Sequence, residues 1–450
     1  MGKKNIHIVG SGLAGSEAAF WLAEHGIHVE IHEMRPIKMT EAHHSGECAE
    51  LVCSNSLKSK SPSSAPGMLK AEMIRMGSLI LKSAEDSAVA GGEALTVDRV
   101  QFSKYITEKL KNHPNITFVN EEVSAPEFGA PTIIATGPLT SDSLSSWIAK
   151  STGEGDLYFY DAIAPIVSAD SIDPEKSFLA NRYDKGGESA YINCPMNKEE
   201  YEAFIDALIA AEKVPPKNFE KENFFQGCQP IEAIAAGGRE SLRFGPMKPV
   251  GLTDPKTGRR PWACVQLRSE NIAKTAYNIV GFQTKLKYSE QSRVFKMIPA
   301  LKNVEFLRLG SIHRNTYVCG PKVLNPDLSL KSRSNIFLAG QITGVEGYVE
   351  SSACGLLAAF FAYQRVMGAA YTPPPLNTAL GALLSHITGS EPNYYQPSNI
   401  HFGLFNPILF TGVTGLKRDD LRQKMSEQTI ENFGQWWTTQ DSVIAPSAKQ

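Results

Sequence analysis

Two short stretches, AELVCSNSL at 49–57 and NFFQGCQPIE at 223–232, each set a cysteine among small or polar neighbours. A thiolate is a strong nucleophile near neutral pH, so both positions could carry covalent chemistry. Cys228 lies between Gly227 and a Gln-Pro pair, and its neighbours leave open whether it is a small apolar residue or the reacting atom. Cys53 is followed by SNSLKS, in which Ser54 and Asn55 are expected to cap a helix. A thiol at a helix N-terminus has its thiolate favoured by the backbone dipoles; the alternative is a buried small hydrophobe. Cys48 and Cys53 form C-x4-C, the spacing of the redox pair in flavin disulfide reductases. Such enzymes also need a second GxGxxG and a His-acid pair near the C-terminus, whereas His401 in IHFGLFNP has no acid close behind. A metal site from His43, His44, Cys48 and Cys53 lacks a second pair at zinc spacing, so no metal is expected. Cys194, Cys264, Cys319 and Cys354 fall in apolar or strand-like runs and are expected to be buried.

The other chemistry-bearing pattern is GSGLAG, residues 10–15, with Gly10, Gly12 and Gly15 as GxGxxG. Before it runs NIHIVG, a β-branched strand. After it comes SEAAFWLAEHG, apolar at helical spacing and stopped by Gly26. IHVEIHE then alternates as a second strand and ends on Glu33. In such a β-turn-α-β unit the backbone of Gly10, Ser11, Gly12, Leu13, Ala14 and Gly15 approaches a pyrophosphate at the helix N-terminus. Glu33 is placed to accept hydrogen bonds from the adenosine ribose.

Further along, TIIATG at 132–137 reads as a strand turning at Gly137. NIFLAGQITGVEG at 335–347 reads as another strand entering a second glycine-rich turn with Gly340, Gln341 and Gly347, and SSACGLLAAFFAYQRVMG follows as a long apolar helix. A nucleotide fold that pauses and resumes in this way is the layout of FAD-dependent oxidoreductases, so the expected cofactor is FAD rather than NAD. The expected fold class is α/β: a Rossmann-like FAD-binding domain in two parts, 1–154 and 326–450. Between them lies an inserted α+β domain, 155–325, and a helical C-terminal segment contains RDDLRQKMSEQTIENFGQWW.

The insertion is also where the charge is concentrated. Residues 236–300 hold twelve Lys or Arg against four Asp or Glu, a surplus of eight; the rest of the chain must therefore carry −10 to reach the overall −2. Arg239, Arg243, Lys248, Arg259, Arg260 and Arg268, interleaved with Phe244, Trp262, Tyr277, Phe282 and Tyr288, have the pattern of a phosphate-tracking surface with stacking platforms. The alternative is a solvated face on an ordinary domain.

At 450 residues, 42% hydrophobic and 20% charged, the composition is that of a globular protein of two or three domains. The start MGKKNIHIVGSG has no apolar signal region and no myristoylation pattern, and no run approaches the roughly 18 apolar residues of a membrane span. The expected location is the cytoplasm, where the cysteines are reduced.

Taken together, VGSGLAGSEAAFWLA, HEMRPIKMTEAHH, AELVCSNSL, AGGEALTVDR, GCQPIE with RFGPMKPVGL, RRPWACVQLR and GQITGVEGYVES resemble the bacterial folate- and FAD-dependent tRNA (uracil-5-)-methyltransferases. The likeness runs from the first strand almost to the C-terminus. Cys48 stands where that family commonly has an aromatic residue, and the likeness gives it no role. Gln226 and Gln229 flank Cys228 where the family often has Glu and Met. Flavoproteins that modify wobble uridines share the FAD domain but carry a long extra C-terminal helical region, for which this length leaves no room.

The resemblance implies methylation of carbon 5 of uracil in RNA, at the T-loop uracil of tRNA, with ribosomal RNA as the alternative substrate. A thiolate adds to carbon 6, and the resulting enolate takes a one-carbon unit from methylenetetrahydrofolate. Reduced FAD, recharged by NADH or NADPH, then supplies the electrons that make the methyl group. By the same resemblance Cys228 is the nucleophile, and Cys53 is a second thiol on the flavin side. The alternatives are a flavin-dependent thiol/disulfide oxidoreductase using Cys48 and Cys53 and, from another class, a flavin-bound RNA-binding protein without methylation activity.

Overall fold

The structure, a computed structural model, describes residues 4–154, 157–162, 164–184, 190–214, 229–271, 273–310 and 312–444. Strands β1 (Asn5–Val9) and β2 (His28–His32) pair in parallel, with His7 opposite Glu30 and Val9 opposite His32. Helix α1 (Leu13–Glu24) connects them and ends at His25, after which Gly26 takes a φ of 77°. Small residues let α1 lie close to the apolar helix Tyr348–Met367. A Cβ on Gly355 would sit 2.3 Å from the Ala14 carbonyl oxygen. The sheet order is Ile336–Leu338, Thr132–Ile134, β1, β2, Ile116–Val119, all parallel. The two strands expected at 132 and 336 thus become neighbours and place both glycine turns at one edge of the sheet.

A second sheet is antiparallel throughout. Its order is Phe178–Leu179, Tyr191–Met196, Ala263–Ser269, Ala276–Ile279, Ile166–Ser168, Phe306–Arg308. It has its own core, in which Phe282 packs against Phe204 and Phe295 at ring separations of 6.1 and 5.4 Å. Helix Lys198–Ala210 covers it, started by a capping box between Asn197 and Glu200. An antiparallel ribbon of Leu157–Ala162 and Ile312–Tyr317 connects this part with the parallel sheet. The expected α/β architecture with an inserted α+β part is the one observed.

The C-terminal helix spans Arg418–Ile444 and packs Trp436 and Trp437 against Phe360, at 5.6 and 5.8 Å. Among the described residues no helix is long and apolar enough to cross a membrane.

Two local expectations are corrected. SNSLKS does not open a helix: strand β3 (Ser56–Ser59) follows, and the next helix, Ala65–Arg75, is capped by Ser64. The Asn55 amide donates instead to the carbonyls of Val97 and Ser269, both 2.9 Å away, and so joins the two parts of the molecule. Tyr277 and Phe282 are not exposed stacking platforms, because the hydrophobic core of the second sheet takes both.

Candidate active site

A cleft of about 1000 Å³, counting its solvent-open mouth, lies along the edge where the two glycine turns meet. Gly10, Gly12, Leu13, Ala14, Glu33, Gly137, Gly340 and Gln341 line it, as expected of a dinucleotide site. Gly10 has a φ of 96°, and a Cβ there would press to 2.9 Å from the Ala135 carbonyl oxygen. Gly12 is different: a Cβ would meet nothing closer than 3.9 Å, so the space in front of it is open. Gly12 is also the N-cap of α1 and supplies no side-chain hydrogen bond. The first N–H groups of α1 are therefore left to bind an anion, as a pyrophosphate requires. Gly340, at φ 81°, brings the second turn against the first, within 2.8 Å of the Ala14 Cβ for an added Cβ. Ser11, Gly15 and Gly347 do not line the cleft; Gly15 supports the turn from behind, where a Cβ would overlap the Gly10 carbonyl at 1.9 Å.

Glu33 is in place but already engaged. Oε2 accepts from the Ser11 N–H and hydroxyl, both at 2.8 Å, and from Arg35 Nη2 at 3.1 Å. Oε1 accepts from the Arg35 N–H and Nε, both at 3.0 Å. Burial alone would raise this carboxyl, but the hydrogen bonds and charge of Arg35 outweigh it and hold it at about 2. Glu33 thus locks the glycine turn to the end of β2, and Arg35 is the partner that sequence reading missed. His43 lies farther along the same wall; burial, and then the Arg35 charge, lower its imidazole to about 4, so it is neutral at physiological pH.

At the Tyr348 end of the cleft, Val52 lines the wall and Cys53 follows, half-buried with a free thiol. Its backbone is held on both sides. The Cys53 and Ser54 N–H groups donate to the Tyr348 hydroxyl at 2.7 and 3.1 Å. Arg99 and Arg308 donate to the Cys53 carbonyl at 3.2 and 3.3 Å, and Arg308 also reaches the Val52 carbonyl. Arg99 is fixed in turn by Glu270, and Arg268 donates to Asn55 Oδ1 at 3.1 Å. Three of these groups come from the second sheet region, so the Cys53 segment sits where the two parts meet. Nothing in the spacing of Arg99, Arg308 or Tyr348 pointed to Cys53, although Arg99 and Tyr348 lie inside the quoted motifs AGGEALTVDR and GQITGVEGYVES.

Cys228 lies outside the described residues. Cys48 and Cys53 are both free, and Cys48 is buried, its thiol pushed up by that burial. Cys194, Cys264, Cys319 and Cys354 are buried as expected.

The basic residues divide into two groups. Lys248, Arg259 and Arg260 are exposed, near the 83% exposed ring of Phe244 in sequence. Arg239 is exposed but paired with Asp206. Arg243 pairs with Glu240 and lies over the Trp262 ring, 3.7 Å from its centroid, which occupies that face of the indole. Arg268 is buried in its strand against Asn55, a position from which it orients the Cys53 segment rather than faces solvent.

A parallel sheet of this order, an uncapped helix N-terminus at its edge and a second glycine turn facing the first define a dinucleotide-binding protein of the FAD type. The chain belongs to the family described as Glucose inhibited division protein A, whose family model matches residues 5–370. Among similar curated proteins is the Methylenetetrahydrofolate--tRNA-(uracil-5-)-methyltransferase TrmFO of Anoxybacillus flavithermus, 52% identical over 428 residues, or 95% of this chain and 99% of that one. The protein of the same name from Bacillus cytotoxicus is 51% identical over 95% of this chain and 98% of that one. A solved structure of Aquifex aeolicus GidA shares the fold, with a TM-score of 0.66 at 15% identity over 97% of this chain and 78% of that one.

Proposed function

We propose that this chain methylates carbon 5 of a uracil in tRNA, with methylenetetrahydrofolate as carbon donor, FAD as electron carrier and NADH or NADPH as reductant. The observation that carries this reading is 52% identity, over nearly the whole chain, to a protein named for that reaction. The cleft supports it, because its open helix N-terminus and paired glycine turns suit the pyrophosphate of FAD. When bound and reduced, FAD supplies the electrons that turn a methylene on carbon 5 into a methyl.

The remaining work falls to the chain. Cys228 adds its thiolate to carbon 6; the ring double-bond electrons move to the carbonyl oxygen, and carbon 5 becomes nucleophilic. Cys53 acts as the second thiol, an acid/base or adduct partner held beside the cleft by Arg99, Arg308 and Tyr348. Lys248, Arg259 and Arg260, with Arg239 and Arg243 beside them in sequence, take the RNA phosphates, and residues 155–325 form the substrate module between the FAD-binding parts 1–154 and 326–450. The reaction belongs to the cytoplasm.

The reading is tested by trapping. RNA containing 5-fluorouracil should form a covalent complex that survives denaturing gels, since fluorine cannot leave as the carbon 5 proton does. The complex should form with tRNA and be lost in Cys228→Ala while FAD content is retained. A complex formed only with ribosomal RNA would change the substrate. One that survives Cys228→Ala and vanishes with Cys53→Ala would reverse the two thiols.

A further inference from the structure

Parallel sheets are normally covered on both faces by apolar side chains. On one face of this sheet, β1 and β2 instead place two histidines and a glutamate together. His7 pairs in register with Glu30, and His32 follows two residues later on the same face. Phe128 stacks on both imidazoles, with ring centroids 4.4 Å from each, and both histidines are buried. His32 also lines the cleft, but none of these side chains has a part in the reaction derived above.

Three atoms converge. His7 Nδ1 and His32 Nε2 are 3.0 Å apart; Glu30 Oε1 is 3.4 Å from the first and 3.1 Å from the second. A tetrahedral zinc ion, with bonds of about 2.0–2.1 Å, separates its ligands by about 3.3 Å, so a point about 2 Å from all three atoms completes such a pyramid. The outer partners have the right chemistry. Glu121 Oε1 lies 2.8 Å from His32 Nδ1, which fixes the Nδ1–H tautomer and turns the Nε2 lone pair inward. That lone pair then faces Glu30 Oε1, acceptor against acceptor. Asn5 allows the tautomer that such a site needs. Its Nδ2 is 3.2 Å from His7 Nε2, while its Oδ1 is buried without a hydrogen-bond partner among the described residues. If His7 binds a metal through Nδ1, its proton sits on Nε2, and the Asn5 amide, turned over, can accept that proton through Oδ1.

We propose that His7, Glu30 and His32 form a binding site for one divalent transition-metal ion, zinc by geometry and ligand type, with the fourth position open to water. Such an ion clamps β1 to β2 and, through Glu121, to the segment after Ile116–Val119. Its role is structural: it fixes the end of β2 from which Glu33 reaches the glycine turn.

The test uses the flavin-loaded full chain and zinc itself. After exposure to zinc and desalting, atomic emission should find one equivalent per chain, and competition with a chromophoric chelator gives the Kd. Glu30→Gln, isosteric and only partly buried, should weaken binding by roughly 100-fold or more, and His7→Gln with His32→Gln should abolish it. Glu121→Gln should weaken it by about 10- to 100-fold. Far-UV circular dichroism of the same samples checks that each variant is folded, since His32 and Glu121 line the FAD cleft themselves. Cobalt in place of zinc should show tetrahedral visible absorption beyond the flavin band that disappears in Glu30→Gln. A wild type that holds no zinc tighter than about 10 μM would overturn the proposal. Zinc retained undiminished in both Glu30→Gln and the double variant would overturn it as well.

Discussion

Gly12→Val separates the folding role of the glycine turn from its binding role. Gly12 has φ −66° and ψ −171°, an extended conformation open to any residue, and no neighbour lies within 3.9 Å of an added Cβ. The substitution therefore costs the fold about 1 kcal/mol or less, the difference between glycine and a β-branched residue at an N-cap. The three added carbons occupy the space in front of α1. The first intrahelical bond there is donated by Ser16 N–H to the Gly12 carbonyl at 2.9 Å, so the N–H groups of Leu13 and Ala14 have no partner within the helix. Losing two hydrogen bonds from these groups to a charged pyrophosphate costs roughly 1.5–3 kcal/mol each. The Kd for FAD should then rise about 10²- to 10⁴-fold. The assay is flavin fluorescence quenching on titration of apoprotein, with apoprotein melting temperatures compared in parallel. A Gly12→Val protein that keeps stoichiometric FAD at the wild-type Kd would refute this placement of the pyrophosphate. Gly15→Ala is the contrast: its Cβ would overlap the Gly10 carbonyl at 1.9 Å, so it should damage the fold itself.

Three further outcomes are expected. Arg259→Ala with Arg260→Ala should weaken RNA binding and reduce the slope of log K against log salt by about 1.4–1.8, with flavin content unchanged; an unchanged slope returns these arginines to a solvated face. Arg308→Met removes the donors to the Val52 and Cys53 carbonyls, which should lower methylation while leaving FAD affinity within about twofold; full activity would show that the clamp does not position Cys53. Glu33 has its folded-state carboxyl lowered from 4.5 to about 2, so its contribution is fully present above pH 4.5 and is lost as pH falls through about 2. The stability difference between wild type and Glu33→Gln apoprotein, on the order of 3 kcal/mol, should shrink over that interval in urea titrations; a difference that does not change with pH would contradict the Arg35 pairing.

The parts legible from sequence are those set by local pattern. The strand, turn and helix at 5–24 and the strands at 132 and 336 follow from β-branched runs, helical spacing and glycines, and all of them form. The parts that were not legible depend on register and tertiary packing. Arg308 reaches the Cys53 carbonyl across 255 residues, and Arg268 reaches Asn55 across 213. Neither distance leaves a trace in spacing. Ser54 and Asn55 have the residue types of a helix cap, but the Asn55 amide found carbonyls on two other strands, and that long-range bonding prevailed over the local preference. Tyr277 and Phe282 look like stacking platforms when read beside lysines and arginines. The core under the second sheet took both rings, Tyr277 from the strand Ala276–Ile279 and Phe282 from the segment that follows it. His7, Glu30 and His32 become a cluster only once β1 and β2 are paired in register.

The most direct test of the proposed activity is the origin of the methyl carbon. Flavin-loaded protein would be incubated with unmodified tRNA, NADH or NADPH, and methylenetetrahydrofolate labelled with carbon-13 in its methylene, without S-adenosylmethionine. The RNA is then digested and its nucleosides analysed by mass spectrometry, with ribosomal RNA in a parallel reaction. The expected result is labelled 5-methyluridine from tRNA, absent when folate or reductant is omitted and absent in Cys228→Ala. No labelled 5-methyluridine with every component present, or methylation that appears only when S-adenosylmethionine is supplied, would contradict the proposal.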